Sequence, residues 1–182
     1  GGGPGGYAAA FIAADTGLNV CLVEKEPLLG GTCLLRGCIP SKALLHVARV
    51  MSEVDELRHD WGVIYASPEI AVEKVRSRKD EIIQRMSSGL NQLAKRRKVQ
   101  VINAVGMLKN STTLMLDGDD QSIPTDREIT FDHLILATGS TPAIPPSLAL
   151  DSPRIMDSTD ALNLTDIPET LLVIGGGYIG LE

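Results

Sequence analysis

Apolar and polar positions along the chain follow two periods, and the change between them divides the sequence into elements. Residues 19–24 read as a short strand, and small residues ahead of it (Ala8, Ala9, Ala10, Ala13, Ala14) read as a helix stopped at Gly17. Residues 41–59 have an amphipathic helical pattern. A second helix is predicted over 70–98, with Ile70, Val75, Ile82, Ile83, Met86, Leu90 and Leu93 on one face. Short strands follow at 99–105, 113–116 and 128–131, with a turn at Asp117-Gly118-Asp119, which together suggest a small antiparallel sheet. Residues 133–137 are predicted as a buried strand and 171–174 as another. Residues 143–153 form a proline-rich linker, and 157–162 a short capped helix.

Two of these boundaries carry glycine motifs. Gly1, Gly3 and Gly6 fit G-x-G-x-x-G before the small-residue helix, and Gly175, Gly177 and Gly180 repeat the pattern after 171–174. The spacing suits a backbone that approaches a pyrophosphate lying on a helix N-terminus. Glu24 ends the strand after the first motif, where an acid holds a ribose 2′-hydroxyl. The plainer alternatives are a glycine-rich tail for the first motif and a structural turn for the second. The acid matching the second motif would lie beyond residue 182, so NAD and NADP are not distinguished. No strand precedes Gly1 and little helix follows Gly180, so the sequence is expected to be a fragment cut at both ends.

Composition narrows the class. The chain has 182 residues, 43% of them hydrophobic, and a formal charge of −6. It has material for a substantial core, no apolar run near the length of a membrane span, and the wrong charge for a general nucleic-acid binder. The basic cluster Lys95-Arg96-Arg97-Lys98 is read as a helix C-terminus opposing its own dipole. His46, His59 and His133 have no partner signature and are read as structural. There are only three cysteines, too few for a disulfide scaffold. Cys21, within the apolar strand, is expected to be a buried thiol.

Cys33 and Cys38 stand in Gly30-Gly31-Thr32-Cys33-Leu34-Leu35-Arg36-Gly37-Cys38-Ile39-Pro40-Ser41-Lys42. The spacing is wrong for a zinc knuckle. In an ideal helix the two Cα atoms would be about 8–9 Å apart, beyond the roughly 7 Å a disulfide tolerates. A bridge would therefore require a bend, and Gly37 is placed to allow one. Pro40 and Ser41 mark a helix start, which puts Cys38 where the dipole favours a thiolate. A static disulfide and two buried thiols are the alternatives.

This block resembles the redox-active disulfide of the class I pyridine nucleotide-disulfide oxidoreductases, and the likeness runs from Gly1 to Glu182. Cys-Ile-Pro-Ser-Lys followed by Ala-Leu-Leu-His resembles the branch that oxidises dihydrolipoamide. The family usually has Leu-Asn-Val where this chain has Leu34-Leu35-Arg36, a change that bears on loop polarity and potential. The resemblance implies a Rossmann-like α/β FAD-binding domain over 1–146, with a helical excursion and a small antiparallel sheet. It also implies the beginning of a Rossmann-like NAD-binding domain over 147–182. A C-terminal dimerisation domain, which holds the family's catalytic His and its Glu, would be missing.

The roles implied are specific. Cys33 would meet the substrate and Cys38 would face the flavin. FAD would be held by Gly1, Gly3, Gly6, Glu24, Gly30, Gly31, Thr32, Lys42, Gly106 (by its adenine side), Thr138, Gly139 and Ser140. Gly175, Gly177 and Gly180 would serve NAD. Lys42 and Glu182 are expected to pair beside the flavin ring, within about 4 Å. The implied partners are lipoyl domains of 2-oxo acid dehydrogenase complexes and a second copy of the chain, with no nucleic acid and no membrane. The expected compartment is the cytoplasm, or the mitochondrial matrix in a eukaryote. Two related activities remain open, glutathione reduction and mercuric reduction, although Ser41 before Lys42 leans against the first. A non-catalytic FAD-binding or subunit-docking module is the reading from another class.

Overall fold

The computed structural model describes residues Gly1–Glu182. The chain divides into two compact units, Gly1–Leu35 with Gln84–Ser140, and Arg36–Ile83 with Thr141–Glu182.

In the first unit, helix α1 (Pro4–Asp15) leads to strand β1 (Cys21–Glu24). Strand β2 (Gln100–Asn103) pairs with β1 in parallel, Leu22 opposite Val101 and Glu24 opposite Asn103. Helix α2 (Gly31–Arg36) follows β1 directly. Alternation along β1 turns Leu22 and Glu24 inward. The core beside it gathers Ala10 of α1, Leu22, Leu29, Ala94 and Val99, with Phe11 and Leu90 packed against them. Arg97 closes this core from outside, paired with Asp15 at 3.0 Å and lying 5.2 Å over the Phe11 ring.

A second sheet in the same unit is antiparallel: β3 (Val105–Leu108), β4 (Thr113–Asp117) and β5 (Glu128–Thr130), with β4 central. Its core is Ile102, Ala104 and Leu116. Ile102 has no exposed surface, a burial that contributes about 2–3 kcal/mol. The run predicted as one strand over 99–105 is therefore two strands in two sheets, parted at Ala104. Gly106 accordingly lies within β3, opposite Leu116.

The second unit holds α3 (Cys38–Asp60), the first half of α4 (Val72–Arg96), a 3-10 turn (Pro146–Leu148), α5 (Ser158–Asn163) and α6 (Tyr178–Leu181). Helix α5 begins with a full capping box, in which Asp157 accepts from the backbone of Thr159 and Asp160 while Asp160 answers to the Asp157 backbone. Its end is held from α4. Lys79 donates to the Leu162 carbonyl at 2.9 Å, and Arg76 to those of Leu164 and Thr165 at 3.1 and 3.0 Å. Basic side chains on the last carbonyls of a helix oppose its dipole.

Three expectations are corrected. Residues 133–137 and 171–174 form no strand, and Ile135 and Leu136 are 65% and 67% exposed. Apolar side chains alone do not make a strand; it also needs a neighbour to take its backbone hydrogen bonds, and neither run has one. Cys21 is more open than Leu22 and Glu24, because the alternation along β1 turns it the other way, yet the atoms around it still push its thiol up by burial.

Candidate functional site

The first glycine motif forms a close-packed turn. A Cβ added to Gly6 would overlap the carbonyl oxygen of Gly1 and stand 3.5 Å from the Ala137 Cβ. A Cβ on Gly1 would overlap the Ala137 carbonyl oxygen, so residues 137 and 138 lie directly beside the loop. Gly31 has φ +59°, a left-handed conformation that glycine adopts without strain, and its added Cβ would come 2.5 Å from the Gly3 Cα. Gly3 itself is open, its nearest such neighbour being 3.6 Å away. The outer glycines thus permit packing, and the central one leaves backbone accessible.

Helix α1 starts at this opening. Gly3 is its N-cap and makes no side-chain cap, Pro4 occupies the first position, and no acid stands in the first turn. No cap and no acid of the helix's own first turn therefore neutralises its positive end. Glu24, 7% exposed, closes the loop from β1. Its Oε2 accepts the Gly2 N–H, and its Oε1 accepts the Glu26 N–H at 2.8 Å. The Gly30 N–H donates to the Gly2 carbonyl at 2.9 Å, which joins the next glycine pair to the same loop. A loop whose backbone stands open at a bare helix end, backed by a buried carboxylate, fits a dinucleotide pyrophosphate and its ribose.

Asn103 fastens the end of β1, a role the sequence reading missed. Its side-chain amide donates to the carbonyls of Glu24 and Glu26 at 2.9 and 2.7 Å. Its backbone N–H goes to Asp120 at 2.8 Å. That bond, together with those from Ser122, holds the Asp120 carboxyl below the usual carboxylate range.

The other predicted FAD contacts of this unit are more scattered. Thr32 is exposed on α2, Thr138 and Ser140 are exposed on either side of Gly139 at φ +76°, and Gly106 is exposed on β3.

In the second unit the second motif repeats the packing of the first. A Cβ on Gly180 would overlap the Gly175 carbonyl oxygen and lie 3.3 Å from the Val173 Cγ1, while Gly177 is open. The relation of the last glycine to the first is the same in both motifs.

Backbone geometry between the cysteines answers the sequence expectation. Helix α2 ends at Arg36, and Gly37, with φ −144° and ψ −115°, is the non-helical N-cap of α3. Cys38 is the first residue of α3 and is exposed; Cys33 is half-buried on α2. Cys21 is a thiol on the exposed side of β1. Leu34, 6% exposed, anchors α2.

One turn into α3, Lys42 Nζ lies 3.6 Å from Glu182 Oε1. The same oxygen accepts the Ser41 hydroxyl at 2.6 Å. That hydrogen bond, ahead of the Lys42 charge, holds the Glu182 carboxyl below its ordinary range. Ser41 was not among the predicted site residues, since nothing in its own neighbourhood marks it. No group of histidine, cysteine and carboxylate side chains is arranged to hold a metal, and no helix is long and apolar enough to cross a membrane.

Comparison with known proteins agrees with this geometry. The profile of the family described as pyridine nucleotide-disulphide oxidoreductase matches residues 1–182. The dihydrolipoyl dehydrogenase of Vibrio cholerae is 45% identical over the whole of this chain, which spans 37% of that relative's length. The mitochondrial dihydrolipoyl dehydrogenase 2 of Arabidopsis thaliana and the leghemoglobin reductase of Glycine max are each 40% identical, with 35% and 34% of their lengths covered. Among solved structures, the HOCl-induced flavoprotein disulfide reductase RclA from Escherichia coli superposes with a TM-score of 0.78 at 27% identity. The match covers all of this chain and 37% of that one.

Proposed function

The chain belongs to the pyridine nucleotide-disulphide oxidoreductase family, and we propose that the full-length protein containing it is an FAD-dependent dihydrolipoamide dehydrogenase that reduces NAD+. The observation that carries this reading is the glycine packing made twice, Gly6 on Gly1 and Gly180 on Gly175, on either side of the cysteine block in sequence. Gly1, Gly3 and Gly6 with the start of α1 would hold the FAD pyrophosphate and Glu24 the ribose; Gly30, Gly31, Thr32 and Thr138 to Ser140 would line the same cofactor. Gly175, Gly177 and Gly180 would hold the nicotinamide nucleotide. We assign residues 1–146 to the FAD domain and 147–182 to the beginning of the NAD domain.

In the oxidised protein Cys33 and Cys38 share a disulfide. One thiolate of dihydrolipoamide attacks Cys33, the Cys33–Cys38 bond breaks, and Cys38 leaves as thiolate. The second substrate thiolate attacks the mixed disulfide, which releases lipoamide and the Cys33 thiolate. The substrate has then lost two electrons and the cysteine pair has gained them. Bound FAD would supply the two-electron passage from this pair to NAD+. Lys42 would supply a positive charge for the flavin, and Glu182, 3.6 Å from it, would moderate that charge. The partners that suit this chemistry are lipoyl domains of 2-oxo acid dehydrogenase complexes and a second copy of the chain. The setting that suits this reading is the cytoplasm, with the mitochondrial matrix as the eukaryotic counterpart, in keeping with the mitochondrial relative of Arabidopsis thaliana.

The test is a visible spectrum of the full-length protein during titration with dihydrolipoamide. A flavin spectrum that gains a thiolate charge-transfer band, followed by NADH formation on addition of NAD+, is expected. The band should survive Cys33→Ser and vanish in Cys38→Ser. A protein without flavin, or a flavin that dihydrolipoamide leaves oxidised, would overturn the reading.

A further inference from the structure

Ser41 has an unusual position for a helical serine. In the body of a helix, serine hydroxyls commonly turn back onto the carbonyl one turn earlier. Ser52 on the same helix does so, donating to the Ala48 carbonyl at 3.2 Å. At Ser41 the backbone N–H takes the Gly37 carbonyl one turn back at 3.0 Å, as in any helix, but the hydroxyl goes to a residue 141 positions away, the carboxylate of Glu182.

The two bonds to that carboxylate are unequal. The Ser41 contact at 2.6 Å is within the short range of hydroxyl-to-carboxylate bonds, about 2.5–2.7 Å. The Lys42 contact at 3.6 Å is longer than an N–H···O bond, about 2.7–3.2 Å. Lys42 is therefore held to Glu182 chiefly by charge, and an ammonium with three N–H donors keeps some of them for other groups. We propose that Ser41 is a positioning residue: its hydroxyl pins Glu182 Oε1 so that the carboxylate offsets the Lys42 charge without closing on the ammonium. The donors of Lys42, which is 68% exposed, are thereby kept for a third group. On the functional reading above, on which this inference rests, that group is an acceptor of the flavin. Ser41 is suited to the task because it has one side-chain torsion and sits on a helical backbone, so little freedom is lost in holding the geometry.

The experiment titrates the carboxylate and the flavin separately. In full-length protein carrying carboxyl-13C glutamate, the Glu182 signal is identified by its loss in Glu182→Gln. Ser41→Ala is expected to raise its titration midpoint, and Ser41→Thr, which keeps the hydroxyl, to leave it low. Ser41→Cys, close in shape but a weak donor, should behave like Ser41→Ala and serves if the alanine variant folds poorly. In the holoprotein, Ser41→Ala should change the ratio of oxidised to reduced flavin severalfold at a fixed solution potential. Ser41→Thr should restore it, and Ser41→Ala should add nothing in a Glu182→Gln background. A midpoint that Ser41→Ala leaves unchanged, or a flavin effect that persists without Glu182, would overturn the proposal. Should the protein carry no flavin, the functional reading falls while the carboxylate titration still decides the role of Ser41.

Discussion

The carboxylate of Glu24, at the end of β1, accepts the backbone N–H of Gly2 in the first glycine loop. The strand end and the loop are therefore one unit, and the acid predicted to meet a ribose also shapes the turn. Glu24→Ala removes the acceptor of the buried Gly2 N–H and of the part-buried Glu26 N–H; a buried donor without a partner costs about 1–3 kcal/mol, and a part-buried one less. We expect Glu24→Ala to lose roughly 2–4 kcal/mol in urea unfolding of the full-length protein, on the scale of those two donors, and to release FAD. Glu24→Gln, which keeps one acceptor oxygen, should lose less.

Gly6→Ala and Gly3→Ala should separate packing from ligand contact. The first drives a methyl into the Gly1 carbonyl, so the protein should fail to accumulate in folded form. The second meets nothing closer than 3.6 Å, and the Gly3 backbone at φ −76° accepts alanine. Gly3→Ala should therefore keep its melting temperature as apoprotein yet bind FAD more weakly. Equal loss of folding in both variants would contradict this division.

Lys79 is 5% exposed, with Nζ on the Leu162 carbonyl and 3.1 Å from Asp80 Oδ1. Lys79→Met keeps the stem and removes the donor, at a cost of about 1–3 kcal/mol. Hydrogen exchange should quicken at 158–165, where α5 loses its tether, and change little in β1 and β2.

Asp120 gives a pH signature. Its carboxyl is held below the ordinary range by the Asn103 N–H and by Ser122. A carboxylate with a depressed folded-state pKa contributes stability that is complete above its unfolded value, about pH 4, and is lost as pH falls through the folded value. Asp120→Asn should therefore be less stable than the parent at neutral pH, and the difference should narrow on acidification. Urea midpoints of both proteins at pH 7 and at steps below pH 4 measure it.

Sequence patterns recovered the features whose causes are local. The existence of α4, the break at Gly37, the cap at Asp157 and both glycine turns depend on residues close together in the chain. The predicted face of α4 was only partly right: Met86 and Leu93 are exposed, Ile70 precedes the helix, and Lys79 and Ser87 are buried along with Ile83. Pairing was less legible. The division of 99–105 between two sheets depends on β1 claiming residues 100–103 and β4 claiming 105–108. The runs at 133–137 and 171–174 have the side chains of strands but no partner for their backbones. The Lys42–Glu182 contact was anticipated through resemblance, whereas Ser41 was not. Its helical setting suggests a hydroxyl turned back on its own helix, and only the approach of residue 182 gives it another acceptor.

Asn103 brings chemical ageing into the account. Asparagine deamidates when the next residue's backbone nitrogen attacks the side-chain amide carbon, a reaction that turns a donor into a negative charge. Here that nitrogen, on Ala104, is bonded to the Glu24 carbonyl at 3.0 Å, and the amide is held by the carbonyls of Glu24 and Glu26. Both reacting groups are occupied. The fastening that fixes Glu24 at the glycine loop thus also slows its own decay, and a charge appearing at residue 103 would face two carbonyl oxygens and release the end of β1.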